Sequence, residues 1–224
     1  MKREIIITSD GSSSIYLPEW DEPYHSKHGA IQEAYHVFIK SGLEYFKEKE
    51  KLSILEIGFG TGLNALITFI ESQKRKDKIE YTGVEAYPVL PEEVKQLNYV
   101  EQLHINEKED IFKKMHTVQW ERPCDISKDF KLIKQKKSFT QINDKDLYNL
   151  IYFDAFSPDR QPELWSPEIF EKMYLSLKDH GILVTYSAKG SVRRALQSAG
   201  FVVERLPGPP GKREMMRAIK KENN

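Results

Sequence analysis

A short apolar strand that runs directly into a glycine loop and then a helix limits the fold of this chain more than any other feature. Leu52 to Ile57 reads as the strand, Gly58-Phe59-Gly60-Thr61-Gly62 as the loop and Leu63 to Ile70 as the helix. The same order recurs downstream. Ile79 to Val84 is a second strand, and a helix starts near Pro91, where proline suits the first helical turn. Leu150-Ile151-Tyr152-Phe153 is the near-continuous apolar run of a strand covered on both faces, which places it centrally. Ser166-Pro167 opens a helix to Leu177, Gly181 to Tyr186 follows as a strand, and a helix over Val192 to Ala199 is closed by Gly200. Such alternation specifies an α/β, Rossmann-like fold, a doubly wound and mostly parallel sheet with helices on both faces. Phe201 to Leu206 and Glu214 to Ile219 flank a Pro-Gly-Pro-Pro-Gly loop, so the last strand is antiparallel.

Ahead of this core the chain predicts an extension over residues 1–50. It consists of a hairpin (Glu4 to Thr8, then Ser14 to Leu17) and an amphipathic helix from Gly29 to Phe46, with apolar positions mostly three or four apart. Residues 51–224 form the main domain, within which 98–149 reads as a partly irregular insertion with a possible strand at Phe130 to Ile133. A chain of 224 residues accommodates this as one decorated domain. The formal net charge is zero, so a nucleic-acid partner would have to meet a local basic patch. The single cysteine, Cys124, excludes an internal disulfide and any multi-cysteine zinc site, and no apolar run reaches membrane-spanning length. A cytoplasmic protein with no membrane partner is expected. His25 and His28 lack further ligands in sequence, so no metal is expected.

In doubly wound sheets the ligand lies beyond the carboxyl ends of the strands at the topological switch, which brings the loops after Ile57 and Phe153 face to face. Glycines in the first loop permit positive φ and close backbone approach, with free helix amides beyond. A dinucleotide loop would be G-x-G-x-x-G, but Leu63 stands in the third glycine's place and Gly62 comes one residue early. This favours an S-adenosylmethionine loop over a nicotinamide one. Glu85, at the end of the second strand and 23 residues beyond Gly62, is placed to accept from ribose hydroxyls. Glu56 is a candidate for the cationic amino-acid end of the cofactor. In the second loop Asp154 is the candidate catalytic group, orienting an amine and accepting its proton, while Phe156 and Trp165 are candidates for stacking on a base.

Several segments together resemble the MnmC-like tRNA methyltransferases. They are Gly58-Phe59-Gly60-Thr61-Gly62-Leu63-Asn64, Asp154-Ala155-Phe156-Ser157-Pro158 with Pro162-Glu163-Leu164-Trp165, Thr185 to Arg194, and Gly211-Lys212-Arg213-Glu214-Met215. Tyr24 to Ala30 with Glu33, and Glu85-Ala86-Tyr87-Pro88, are similar too, whereas residues 98–149 match poorly. The resemblance implies a class I S-adenosylmethionine-dependent methyltransferase. Its acceptor would be the amine of 5-aminomethyl-2-thiouridine at the tRNA wobble position. It further implies a chain without flavin or the flavin oxidase domain, dependent on a separate enzyme for the aminomethyl precursor. Carried over, Glu56, Gly58, Phe59, Gly60, Thr61, Gly62, Asn64, Glu85 and Asp154 form the cofactor site. The anticodon loop would meet Phe156, Lys189, Arg193, Arg194, Lys212 and Arg213. The family's Gly-Asp pair near the adenine is replaced by Gln135-Lys136-Lys137-Ser138, which leaves that contact unassigned. Alternatives are a methyl- or aminopropyltransferase acting on a small amine, a nicotinamide oxidoreductase, and a non-catalytic RNA-binding module.

Overall fold

Strong apolar runs end the central strands at the same level, and this places the site. The computed structural model describes residues 2–47 and 51–222, so the boundary expected at residue 50 lies outside the described residues. Strands β1 (Glu4–Ile7), β2 (Ser13–Leu17) and β3 (Glu22–Pro23) form a small antiparallel sheet. Helix α1 (Ala30–Ala34) follows. The core then runs β4 (Lys51–Ile57), α2 (Leu63–Arg75), β5 (Lys78–Val84), α3 (Pro91–Val94), α4 (Tyr99–Gln102), α5 (Glu109–Thr117), β6 (Pro123–Ser127), β7 (Phe130–Gln135) and β8 (Tyr148–Phe153). It closes with α6 (Pro167–Ser176), β9 (Leu177–Thr185), α7 (Gly190–Ser198), β10 (Val202–Pro207) and β11 (Glu214–Ile219).

The main sheet has eight strands in the order β10, β11, β9, β8, β4, β5, β7, β6. Its five middle strands are parallel, and β6, β11 and β10 are antiparallel to their neighbours. The chain moves outward from β4 through β5 to β7 and then returns to β8 on the other side of β4. The switch point is therefore between β4 and β8. Side-chain alternation splits the core into two layers. Leu52, Ile54, Leu150 and Tyr152 pack under α2 and α5, while Leu55, Ile57, Ile151 and Phe153 pack under α6 and α7. Each such fully buried side chain is worth about 1.5–3 kcal/mol.

Two expectations need correction. The helix expected from Gly29 to Phe46 is interrupted: after α1 the chain makes a π-helical stretch, Tyr35–Lys40, and later a short 3-10 turn, Leu43–Tyr45. Val37, Phe38 and Ile39 are all buried, and three consecutive inward side chains do not fit one stripe of a 3.6-residue helix. The stretch 98–149 is more regular than its sequence suggests, because β7 pairs in parallel with β5 along its whole length and β6 closes the edge. Lys134 hides this strand. It occupies an inward position at 1% exposure, with Nζ donating to His116 O at 2.6 Å, and so breaks the apolar pattern. No helix among the described residues is long and apolar enough to cross a membrane.

Candidate active site

Register aligns four strand ends: Phe153 lies opposite Ile57, Ile57 opposite Val84, and Val84 opposite Gln135. Backbone bonds tie the departing loops together. Gly58 N and Phe59 N donate to Val84 O, Asp154 N to Ile57 O and Glu85 N to Gln135 O, all at 3.0–3.1 Å. Between these loops opens a cleft of about 720 Å³. Of the residues expected at the cofactor site, Glu56, Gly58, Phe59, Gly60, Thr61, Asn64, Glu85 and Asp154 line it; Gly62 stands at the N-terminus of α2.

The glycine loop is held from several sides. Glu85 accepts from Gly60 N at 3.0 Å and from Tyr87 N at 2.9 Å. An ionised carboxylate has about four acceptor positions, so two remain for ligand hydroxyls. The Phe59 ring turns inward, 3% exposed, and meets His116 and Trp120 edge-on. It is a packing residue that leaves its backbone to the cleft. Thr61 is gripped by three rings: Tyr99 OH donates to its hydroxyl at 3.0 Å, His116 Nε2 donates to its carbonyl at 3.1 Å, and His25 Nε2 lies 3.4 Å from the hydroxyl.

Burial lowers the pKa of both histidines to about 4, with the Lys134 cation adding to the effect at His116. A histidine with a folded pKa below its unfolded value supports the fold above pH 6.5 and withdraws that support as pH falls toward 4. The shift corresponds to about 3 kcal/mol per histidine. Thermal stability is therefore expected to decline from pH 6.5 to 4, and a His25→Gln/His116→Gln variant to show a flatter decline by calorimetry. An equal slope in the two proteins would refute this assignment.

At the floor of the cleft Asn64 bridges two acids. Its Nδ2 donates to Glu56 Oε1 and to Asp154 Oδ2, both at 2.9 Å. Asn64 Oδ1 and Glu56 Oε2 are buried with no hydrogen-bond partner among the described residues. Burial raises the Glu56 carboxyl well above the usual range, and the neighbouring Asp154 charge raises it further. Asp154 is pushed up to about 7, first by burial and then by the nearby Glu33 carboxylate, with Asn64 and Lys212 acting the other way. A buried Glu56 beside the half-buried Asp154, with Glu56 Oε2 and Asn64 Oδ1 unmet, is suited to a cation.

Beyond β7, Ser138, Phe139 and Thr140 line the same cleft, at the position left unassigned by the missing Gly-Asp pair. At the mouth Phe156 meets Trp20 and Tyr24 edge-on, with centroids 5.3 and 5.0 Å apart. Trp165, read from sequence as a stacking residue, is instead core: it is 5% exposed and its Nε1 donates to Phe156 O at 2.8 Å. Glu22 on β3 accepts from Ser157 N and Ser157 Oγ at 2.9 Å, which fastens the small sheet to the Asp154 loop. Sequence reasoning assigned no roles to Trp20, Tyr24, His25, Glu33 or Tyr186, although Tyr24, His25, Glu33 and Tyr186 lie in segments that carry the resemblance.

The cations divide into two groups. Lys189, Arg194 and Arg213 are exposed and Arg193 partly so, with Lys189 paired to Asp159. Lys212 turns inward to Glu33 Oε1 at 2.7 Å and lies 3.9 Å from the centre of the Tyr186 ring. No cluster of three metal-binding side chains stands among the described residues.

A profile of the S-adenosyl-L-methionine-dependent methyltransferase family matches residues 96–221. The chain belongs to that family. It is similar to the tRNA 5-methylaminomethyl-2-thiouridine biosynthesis bifunctional protein MnmC of Cupriavidus metallidurans, with 30% identity covering 95% of this chain and 33% of that protein. The counterpart from Burkholderia thailandensis is 28% identical over 95% of this chain and 34% of its own length. This methyltransferase chain thus spans about a third of those relatives. Among solved structures it is similar to MNMC2 from Aquifex aeolicus, with a TM-score of 0.77 and 27% identity covering 99% of this chain and 71% of that one. A spermidine synthase structure shares the fold alone, at a TM-score of 0.54 and 10% identity. The family profile covers residues 98–149, where the resemblance in motifs is weak, and the methyltransferase family is not that of a nicotinamide oxidoreductase.

Proposed function

We propose that this methyltransferase acts on the amine of 5-aminomethyl-2-thiouridine at the wobble position of tRNA, forming 5-methylaminomethyl-2-thiouridine. The observation that carries the reading is the setting of Asp154. It is a proton acceptor tuned to about 7, fixed by Asn64 between the glycine loop and an aromatic cluster that suits a flat base. The names of the MnmC relatives support the substrate.

The residues present fit S-adenosylmethionine. Glu85 has acceptors free that would take the ribose hydroxyls, Ser138 to Thr140 would hold the adenine, and Glu56 with Asn64 Oδ1 would meet the ammonium of the methionine end. When bound, the cofactor would supply an electrophilic methyl carbon for the amine lone pair, with its sulfonium sulfur as the leaving group that keeps the electron pair. Asp154 orients the amine and receives the proton that nitrogen sheds. Phe156, Tyr24 and Trp20 hold the base and exclude water, and most of the acceleration comes from this positioning. Lys189, Arg193, Arg194 and Arg213 supply phosphate contacts on a chain with no net charge. The reading places the enzyme in the cytoplasm with its tRNA and requires another activity to free the amine first.

Radiolabelled methyl transfer tests this. Label is expected in tRNA carrying the aminomethyl group and absent from unmodified tRNA and from spermidine. Label in spermidine would replace the substrate with a small amine.

A further inference from the structure

The Lys212–Glu33 pair, 179 residues apart in sequence, lies behind the Asp154 loop near enough for both charges to act on Asp154, and nothing in the chemistry above uses it. Glu33, on α1, is 7% exposed; besides Lys212 it accepts from Ser26 N at 2.8 Å through Oε2. Lys212 comes from the loop between β10 and β11, with its ammonium over the Tyr186 ring. The Tyr186 hydroxyl in turn donates to Ala155 O at 2.8 Å, one residue from Asp154. The pair is thus anchored to the loop that carries the proton acceptor. Lys212 is half-buried, and a cation fixed between a carboxylate and an aromatic face holds its charge at one point.

The groups acting on Asp154 are Glu56 from β4, Asn64 from α2, Glu33 from α1, Tyr186 just after β9 and Lys212 from the β10–β11 loop, with Glu22 on β3 acting on Tyr186. Burial raises the Glu56 carboxyl well above the usual range, which weakens its competition with Asp154 for charge. Glu33 does compete. Two close carboxylates cannot both stay ionised cheaply, and an unpaired Glu33 would drive a proton onto Asp154.

We propose that Lys212 is a positioning residue for methyl transfer: locked between Glu33 and Tyr186, its cation neutralises Glu33 and so keeps Asp154 ionised to receive the proton of the acceptor amine. The same fixed cation disfavours protonation of an acceptor amine held at Asp154 and so favours the free amine, whose lone pair the reaction needs. The proposal rests on the amine-methylation reading only for its catalytic consequence. Its electrostatic content concerns the protein alone.

The test is a ¹³C NMR titration of Asp154 in the ligand-free protein, assigned with Asp154→Asn, beside the pH dependence of methyl transfer. Lys212→Met is expected to move the Asp154 midpoint up by about one pH unit and lower the rate at pH 7 about fivefold, with recovery at higher pH. Glu33→Gln is expected to move the midpoint down. The double variant should return it toward wild type, and Lys212→Arg, which keeps the cation, should hold it. A purely structural role for the loop predicts no opposed shifts and no return in the double variant, and that pattern would overturn the proposal. Because the titration needs no substrate, it is decided separately from the acceptor. A wild type inactive on aminomethyl tRNA would sink the substrate reading, while unshifted midpoints would sink this one.

Discussion

Asp154→Asn is expected to lower methyl transfer by about 10²–10⁴-fold, the range for losing a general base, while S-adenosylmethionine binding weakens only a few-fold. Asparagine has the same shape and keeps an oxygen to accept from Asn64 Nδ2, which donates to Asp154 Oδ2 at 2.9 Å. What it lacks is a site for the proton. The wild-type rate should rise through pH 7, where the Asp154 carboxyl loses its proton. The residual rate of the variant should show no such rise.

Stability moves the other way. A carboxyl with a folded pKa above its unfolded value opposes folding once pH passes the unfolded value, and burial has raised Asp154 from 3.8 to about 7. Asp154→Asn should therefore melt no lower than wild type at pH 7.5, and higher if Asn64 keeps its bond. Lower activity with equal or greater stability separates a catalytic loss from a folding defect. Full turnover with bound cofactor would remove Asp154 from the chemistry.

The strand ends were legible because each apolar run stops at a residue of opposite character: Ile57 before Gly58, Val84 before Glu85, Phe153 before Asp154. Pairing at one level then makes those three stops a site. Strand β7 was less legible, because Phe130-Lys131-Leu132-Ile133-Lys134-Gln135 places a lysine where the pattern calls for an apolar side chain. The π-helical stretch was missed for a related reason, since periodicity alone cannot signal three adjacent inward residues. At the site, no local pattern joins Glu33 to Lys212, and only topology brings them together. Trp165 read as a stacking residue by its position in a functional loop, yet its N–H is satisfied by Phe156 O inside the core. Composition does not distinguish an aromatic ring at the mouth from one beneath it.

Gly58→Ala carries the second large expected effect. Gly58 has φ of 90°, a conformation costing a side-chain-bearing residue about 1–3 kcal/mol. A methyl group there would also stand 2.5 Å from the Asp154 carbonyl oxygen, a backbone atom fixed in the sheet register and unable to swing aside. The loop must then withdraw from the Asp154 strand end, which breaks the alignment of Gly60 with Glu85 and of Asn64 with its two acids. Cofactor affinity by calorimetry is expected to fall by about 30-fold or more, since about 2 kcal/mol of strain is felt by the bound loop. The melting temperature should fall less than a core truncation would lower it, because the hydrophobic layers under α2 and α6 are untouched. Wild-type affinity in Gly58→Ala would mean that the loop does not hold the cofactor as its shape implies. The same variant tests the geometry without reference to the acceptor, because binding is measured before any methyl group moves.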